Sequence, residues 1–543
     1  MMQYKKIVAA LSLIGFTSTP TLVYANDSTE LEELRALVQE LDQKVKILAR
    51  KGEVAEEDAA NSKKSAPVVK ASEKGFGLES ADGKNVIKLR GLLQADYRSF
   101  QDGANDVRAR TDARAGKLDA NGFHEANDTA LLRRVRPTIE GTVLGKYDFR
   151  FTPEFAGGSA SVVDAYLDAR LSPAFKIRAG KYKPFVGLER LQSGADIKFV
   201  ERSYVTNAIL PNRDVGISVY GDILSDRLNY AFGINNGVVD GGNASGAAEF
   251  DNNIEFTARL FATPFKNEVN ALAGLGFGIA GTFTDIDGEK NLNFTDTSAA
   301  DATRNGLPSY LTNGQQTFFR YGSGIVADGK RIRIAPQANY YYGPLGFTAE
   351  YARVSQDVSK AVEGSPAGGG AAVNEFIVNG TNKTLKHDAW EISATYLITG
   401  EDASFRGVKP KNDFDLDKGG WGAWELVARY SEINLDEDTF KNQLGQYVAD
   451  FGSVTAANAV TSGTTLAYSD LTKSAKSAHS WVAGVNWYLN QNAKIQLNYS
   501  HTKFDGGASI GNQNLNATGS NFNAIIKDRE SEDALLARLQ VAF

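Results

Sequence analysis

The stretch VIKLRGLLQADYRS, residues 86–99, alternates residue by residue between two chemistries. Ile87, Leu89, Leu93, Ala95 and Tyr97 fall on one phase, and Lys88, Arg90, Gln94, Asp96 and Arg98 on the other. Successive side chains of a strand point to opposite faces, so this is a strand with one apolar face and one charged face. The pattern recurs along the chain. Val135, Ile139 and Val143 oppose Arg134, Arg136, Thr138 and Glu140, while Tyr147, Phe149 and Phe151 oppose Asp148, Arg150 and Thr152. Trp390, Ile392, Ala394, Tyr396 and Ile398 oppose Glu391, Ser393 and Thr395; Trp424, Leu426, Ala428 and Tyr430 oppose Glu425 and Arg429; Ile495, Leu497 and Tyr499 oppose Gln496 and Asn498. The final strand sets Leu535, Ala537, Leu539, Val541 and Phe543 against Arg538 and Gln540. Strands of a soluble sandwich average about five or six residues. These approach the roughly 9–11 needed to cross a bilayer at a tilt, and aromatic ends such as Trp390, Tyr430, Trp481 and Tyr499 suit the membrane interface. After residue 25 no run reaches about 18 unbroken apolar residues, so a membrane domain here has to be built from strands.

The connections alternate as well. Short turns at 144–148, 172–175, 343–346 and 490–494 intersperse with long polar stretches at 236–250, 285–315, 359–385, 434–475 and 503–528. Short turns on one rim and long loops on the other characterise outer-membrane barrels. At the start, Lys5 and Lys6 precede the apolar run Ile7–Phe16, and Val23-Tyr24-Ala25 fits a signal-peptidase site, so residues 1–25 read as an export signal. Leu31, Leu34, Val38, Leu41, Val45 and Leu48 then repeat alternately three and four apart, a short coiled-coil seam over 26–52 that Gly52 should stop. Residues 53–75 read as a flexible linker, and 76–543 as the barrel.

Catalysis finds little support. The chain has 543 residues, 4 His and no Cys, with no His pair at metal-ligand spacing. His479-Ser480 cannot act as base and nucleophile, because neighbours on a strand face opposite ways. Asp285-Ile286-Asp287-Gly288 lacks the closing Glu of a calcium loop and reads as a solvated turn. A formal charge of −6 argues against nucleic acid as a partner. No enzyme activity and no cofactor are expected. The segment 180–216 stands out instead: it breaks the strand rhythm with a long connection carrying Lys181, Lys183, Arg190, Lys198, Arg202 and Arg213.

LLRRVRPTIEGTVLG (131–145), DAYLD (164–168), GKYKPFVGLERLQSG (180–194), FVERS (199–203), GAWELVARYS (422–431), GVNWYLN (484–490) and LQVAF (539–543) together resemble the phosphate-selective porin O and P family over roughly Val86–Phe543. The resemblance implies an all-β, transmembrane antiparallel barrel of 16 strands, assembled as a homotrimer in the bacterial outer membrane. Infolded basic loops would narrow each pore and pass small anions: phosphate, polyphosphate or chloride. By position Arg133 and Arg134 match the family's paired arginines, Arg190 falls at a constriction lysine, and Arg202 matches a family arginine. Arg136 and Lys183 stand where the phosphate porins carry tyrosine, and the ladder of arginines expected near 285–330 is reduced to Arg304 and Arg320. Arg134, Arg136 and Arg150 occupy the polar phase of their strands, since a cation on the lipid phase would cost roughly 2–4 kcal/mol at the bilayer midplane. Arg133 is on the apolar phase and needs a rim or a bend. Expected partners are outer-membrane lipid and, through Phe543, the barrel-assembly machinery, with the coil in the periplasm. The alternatives are a weakly selective general porin and a structural or adhesive barrel of little conductance.

Overall fold

The computed structural model describes residues 28–72, 75–101, 105–106, 124–244, 252–288, 305–322, 324–364, 374–377, 381–441, 467–471, 473–510 and 525–543. The segment read as an export signal and Arg304 lie outside them. Two units are present, one ending at Ala66 and one spanning Pro67–Phe543.

The first unit is a single helix, α1 (Ser28–Ser65). It runs past Gly52, where the sequence suggested a stop and a flexible linker. A lone glycine costs only about 1 kcal/mol against alanine, and the Ala- and Glu-rich stretch that follows favours helix. The Arg50–Glu53 ion pair at 3.0 Å spans the glycine, adding to Lys44–Glu40 and Lys46–Asp42 one turn apart. Leu34, Val38, Leu41, Val45 and Leu48 form an exposed stripe on it; of Leu31 only the backbone is described.

The second unit opens with a hairpin, Val68–Ser72 against Gly75–Glu79, where the linker was expected to continue. Sixteen barrel strands follow: β1 (Val86–Gln101), β2 (Thr129–Val143), β3 (Tyr147–Glu154), β4 (Ser161–Ser172), β5 (Phe175–Tyr182), β6 (Asp214–Ile223), β7 (Leu228–Asn235) and β8 (Glu255–Ala262). The second half comprises β9 (Leu275–Asp287), β10 (Ile325–Tyr342), β11 (Leu345–Gly364), β12 (Lys383–Leu397), β13 (Ala423–Asn434), β14 (Ala475–Tyr488), β15 (Ala493–Ile510) and β16 (Glu532–Ala542). Each pairs antiparallel with the next, and β16 returns to β1, so the sheet closes on itself. Asp285-Ile286-Asp287 belongs to the end of β9, paired with Gly329 and its neighbours, and is not a turn. Strands β11 and β15 likewise extend into stretches read as loops.

The apolar phase faces out. Leu89, Leu93, Leu132, Ile139, Leu167, Leu260, Ile392, Leu426, Leu497 and Leu539 are all exposed, while Gln94, Asp96, Arg134, Glu425, Arg429, Gln496 and Arg538 are buried in the lumen. An apolar wall around a polar interior inverts the soluble arrangement and matches a hydrocarbon surround. Pairs such as Trp390–Tyr430 and Trp481–Tyr499, with ring centroids 5.2 and 5.3 Å apart, mark the wall near the long-loop rim.

Two connections fold into the lumen. The β5–β6 connection, 183–213, contains α2 (Leu188–Leu191) and a π turn at Val205–Ile209. The β9–β10 connection supplies a small hairpin, Ser309–Leu311 with Thr317–Arg320. Their Val186, Tyr204, Ile209, Tyr310, Phe318 and Phe319 form one apolar core with Ala280, Ala335, Ala352, Ala389 and Ala478 of the barrel wall. Alanines on the lumen side of β9–β14 leave the room that this plug fills. Arg429 of β13 ties both insertions together, donating to the Glu201 carbonyl at 3.0 Å and to Asn313 Oδ1 at 3.1 Å.

The seam depends on a close approach. Gly91 and Phe543 exchange two backbone hydrogen bonds of 3.0 Å, and a Cβ on Gly91 would stand 2.5 Å from Phe543 Cζ. Gly91→Val is therefore expected to push the ring out of place and destabilise the seam by about 1–3 kcal/mol. The heat-induced shift of the folded band on denaturing gels should occur at lower temperature than for the parent chain.

Candidate functional site

With β9–β14 filled by the plug, open space lies against the opposite wall. A cavity of about 780 Å³ is bounded by β1–β5, by the short-turn ends of β14–β16, by the near edge of the β5–β6 connection, and by 406–409 and 490–492. Its walls carry Arg90, Arg136, Arg150, Arg178, Lys183, Arg213, Arg406, Lys409 and Lys494, against Asp164 and Asp196. Several of these cations are held by carboxylates just behind them. Arg136 Nε donates to Glu154 at 2.6 Å, Arg150 to Glu140 at 2.5 and 3.1 Å, and Arg178 to Asp168 at 2.6 Å. Arg213 reaches Asp164 at 3.3 Å. Lys183 and Lys494 donate instead to backbone carbonyls, of Gln192 and Ile197, both at 2.8 Å. The cavity therefore keeps a cationic surplus and fixed donors, which suits small anions.

The strand arginines reach the lumen by their phase, as expected for Arg134, Arg136 and Arg150. Arg133 gets there by another route. The β1–β2 register jumps from Gln94↔Arg134 to Ala95↔Leu132, so Arg133 is the extra residue of a β-bulge, the bend its apolar phase required. Its guanidinium grips Glu201 with Nε at 2.8 Å and Nη2 at 3.2 Å. Arg134 is buried and donates to Gln94.

Arg190 and Arg202 are not on the cavity wall. Both turn into the body of their own connection: Arg190 donates to the Thr206 carbonyl, and Arg202 to those of Gln192, at 2.9 Å, and Glu189. A loop crossing a lumen must satisfy carbonyls that water cannot reach, and these two guanidiniums do so. They lie behind the wall, adding to its potential from there. Arg136, Arg150 and Lys183 are the sequence candidates that line the cavity directly.

Arg178 and Arg90, absent from the candidates, could have been found by the same phase rule, since Lys176, Arg178 and Tyr182 share one face of β5 and Arg90 shares the face of Gln94. Arg178 is packed face-on by Tyr166, 4.1 Å from its ring centroid, with Phe185 and Tyr220 at 5.3 Å. Arg406 and Lys409 come from a long connection, 398–422, on the otherwise short-turn end, which no pattern announced. On the infolded connection, burial alone would raise the Glu201 carboxyl, but Arg133 and then Arg98 hold it well below the usual carboxylate range. His479 faces outward, 3.2 Å from Glu432, whereas Ser480 faces the lumen and accepts from Asn313 at 2.7 Å.

Among the described residues no group of three or more His, Asp or Glu is placed to hold a metal. Crystals soaked in bromide should show anomalous peaks inside this cavity near Arg136, Lys183 and Arg213, and none among Ala335, Ala352 and Phe318. Peaks confined to the outer surface would contradict the assignment.

A family model described as phosphate-selective porin O and P matches residues 105–543. Porin O of Pseudomonas aeruginosa is 24% identical over 483 residues, covering 84% of this chain and 91% of that one. Among solved structures, the trimer form of the Vibrio cholerae outer-membrane protein OmpT is similar at 10% identity and a TM-score of 0.45, covering 84% of this chain and 99% of that one. An anion-selective porin from Comamonas acidovorans is similar at 10% identity and a TM-score of 0.42, covering 84% and 100%.

Proposed function

Because the chain belongs to the phosphate-selective porin O and P family, we propose that this outer-membrane porin lets small anions diffuse passively through the basic side of its lumen, with no cofactor and no turnover. The observation that carries the reading is the cationic surplus of the cavity between β1–β5 and the β5–β6 connection. A net acidic chain can be anion-selective, because the field in a narrow pore is set by the groups that line it. Arg supplies planar forks for the oxygens of phosphate-like ions, and Lys183 a point charge. Phosphate or polyphosphate as the physiological permeant is supported by the family's description and by the likeness to Porin O. On the β9–β10 hairpin, Arg320 offers one exposed guanidinium, so strong phosphate retention has to come from the cavity itself.

The assembly we propose is a homotrimer in outer-membrane lipid, with α1 in the periplasm and Phe543 serving as the mark for the barrel-assembly machinery. The apolar stripe of α1 supports the coil: Leu34, Leu41 and Leu48 are 64, 53 and 67% exposed on the single chain and would be covered by packing against two copies. So short a seam adds to an assembly held mainly by the barrels. Deleting residues 26–65 should leave a folded, conducting barrel whose trimer dissociates at lower temperature in detergent. A trimer of unchanged resistance would count against the coil.

In a planar bilayer under a salt gradient, the reversal potential should report chloride preferred over potassium, and added phosphate should reduce chloride current. Arg136→Glu and Lys183→Glu, on the cavity wall, should each lower anion selectivity far more than Arg353→Glu. Arg353 lies on the outer face of the sheet, paired with Asp388 at 3.4 Å, with the barrel wall between it and the lumen. Cation preference in the parent chain would overturn the reading, and negligible conductance would favour a structural barrel.

A further inference from the structure

Glu201 lies deep in the lumen, 3% exposed, where the β5–β6 connection meets β1 and β2. Its Oε1 accepts from Arg98 Nη2 of β1 at 3.0 Å and from Arg133 Nε of β2 at 2.8 Å, and its Oε2 accepts from Arg133 Nη2 at 3.2 Å. The other ion pairs between this connection and the barrel among the described residues, Arg213–Asp164 at 3.3 Å and Glu189–Arg429 and Lys198–Glu425 at 3.4 Å, are longer. Around Glu201 the remaining contacts with the wall are made by backbone groups, such as Val200 N to Asn498 Oδ1 at 2.7 Å, Asn486 Nδ2 to the Lys198 carbonyl at 2.9 Å and Arg429 Nη1 to the Glu201 carbonyl at 3.0 Å. The bulge that brings Arg133 into the lumen serves this contact.

Two guanidiniums converging on one pair of carboxylate oxygens reproduce the way arginines take any oxyanion. Arg133 keeps 29% of its side chain exposed, so the clamp is not sealed from water. We propose that Glu201 is the positioning residue of the constriction and a tethered counter-anion: its carboxylate fixes the β5–β6 connection against β1–β2 and occupies a guanidinium clamp that would otherwise hold a permeant oxyanion. The loop's position and the availability of Arg98 and Arg133 are then one variable. With the carboxylate seated, the lumen is narrow and the clamp is filled; without it, the loop loosens and two cations face the pathway.

The inference rests on the anion-channel reading above, and its test separates the two. Full-length protein carrying Glu201→Gln, Glu201→Asp or no change is compared in planar bilayers, with inorganic phosphate as the blocking ion. Glu201→Gln keeps the shape and loses the charge. It should raise open-channel current noise and lower the half-blocking phosphate concentration by about tenfold, the effect of one added charge-assisted contact. Glu201→Asp keeps the charge on a shorter arm and should restore block close to that of the parent chain. A Gln variant with the parent's noise and block, or one indistinguishable from the Asp variant, overturns the proposal while an anion-selective parent leaves the broader reading standing. A parent that passes no anions overturns that reading instead. If the Gln variant fails to insert, Arg133→Gln, which opens the same clamp from the wall, decides: raised noise without tighter phosphate block supports the latch, and the parent's noise refutes it.

Discussion

No backbone polar group can be left unpaired in hydrocarbon, where water is absent and each orphan costs several kcal/mol. Among the described residues no helix is long and apolar enough to span, and strands satisfy the constraint when the last pairs with the first. Here β16 meets β1 from Asp533↔Gln101 to Ala542↔Leu92, and every strand between them is paired on both edges. Closure then dictates the side chains. Period-two geometry sends one phase of each strand to lipid and the other to the lumen, so most of the charge on the strands is gathered inside the tube.

A tube of sixteen strands is too wide for its lining to fill, and the chain fills it unevenly. On the β9–β14 side, alanines make room for two insertions that bring Tyr204, Tyr310, Phe318 and Phe319 into a compact apolar core. On the β1–β5 side the lining remains polar and basic, and the open volume remains there. The β5–β6 connection stands between the two halves, its carbonyls met by Gln94, Asn486, Lys494 and Gln540 from the wall and by its own Arg190 and Arg202. The open volume is thus off-centre, with one wall of strands and one of loop.

The barrel was legible in the sequence because its signal is repeated many times: each strand independently carries an apolar and a polar phase, and the structure places Leu426 and Tyr430 outside, Glu425 and Arg429 inside, as that rule requires. Features that depend on a single residue were not legible. At Arg133 the apolar phase announced the need for a rim or a bend, but not the bulge that shifts the β1–β2 register. Gly52 looks like a helix stop, yet the residues beyond it favour helix enough to pass through. Arg190 and Arg202 share the chemistry of pore-lining cations, but their partners are backbone carbonyls, which any residue supplies and no sequence pattern marks. Glu201 is marked by no pattern either, because its partners Arg133 and Arg98 are 68 and 103 residues away in the chain.

The central claim is that ions travel along the β1–β5 side of the lumen and that this path favours anions. The chain has no cysteine, so a single introduced thiol is a unique probe. Thr152→Cys, on the cavity wall, and Ala352→Cys, beneath the plug, can be treated in the open channel with thiol reagents of matched size and opposite charge. The account predicts that the anionic reagent modifies Thr152→Cys faster than the cationic one and reduces its current, while Ala352→Cys stays unmodified by either. Rapid modification at Ala352→Cys, or faster reaction of the cationic reagent at Thr152→Cys, would contradict it.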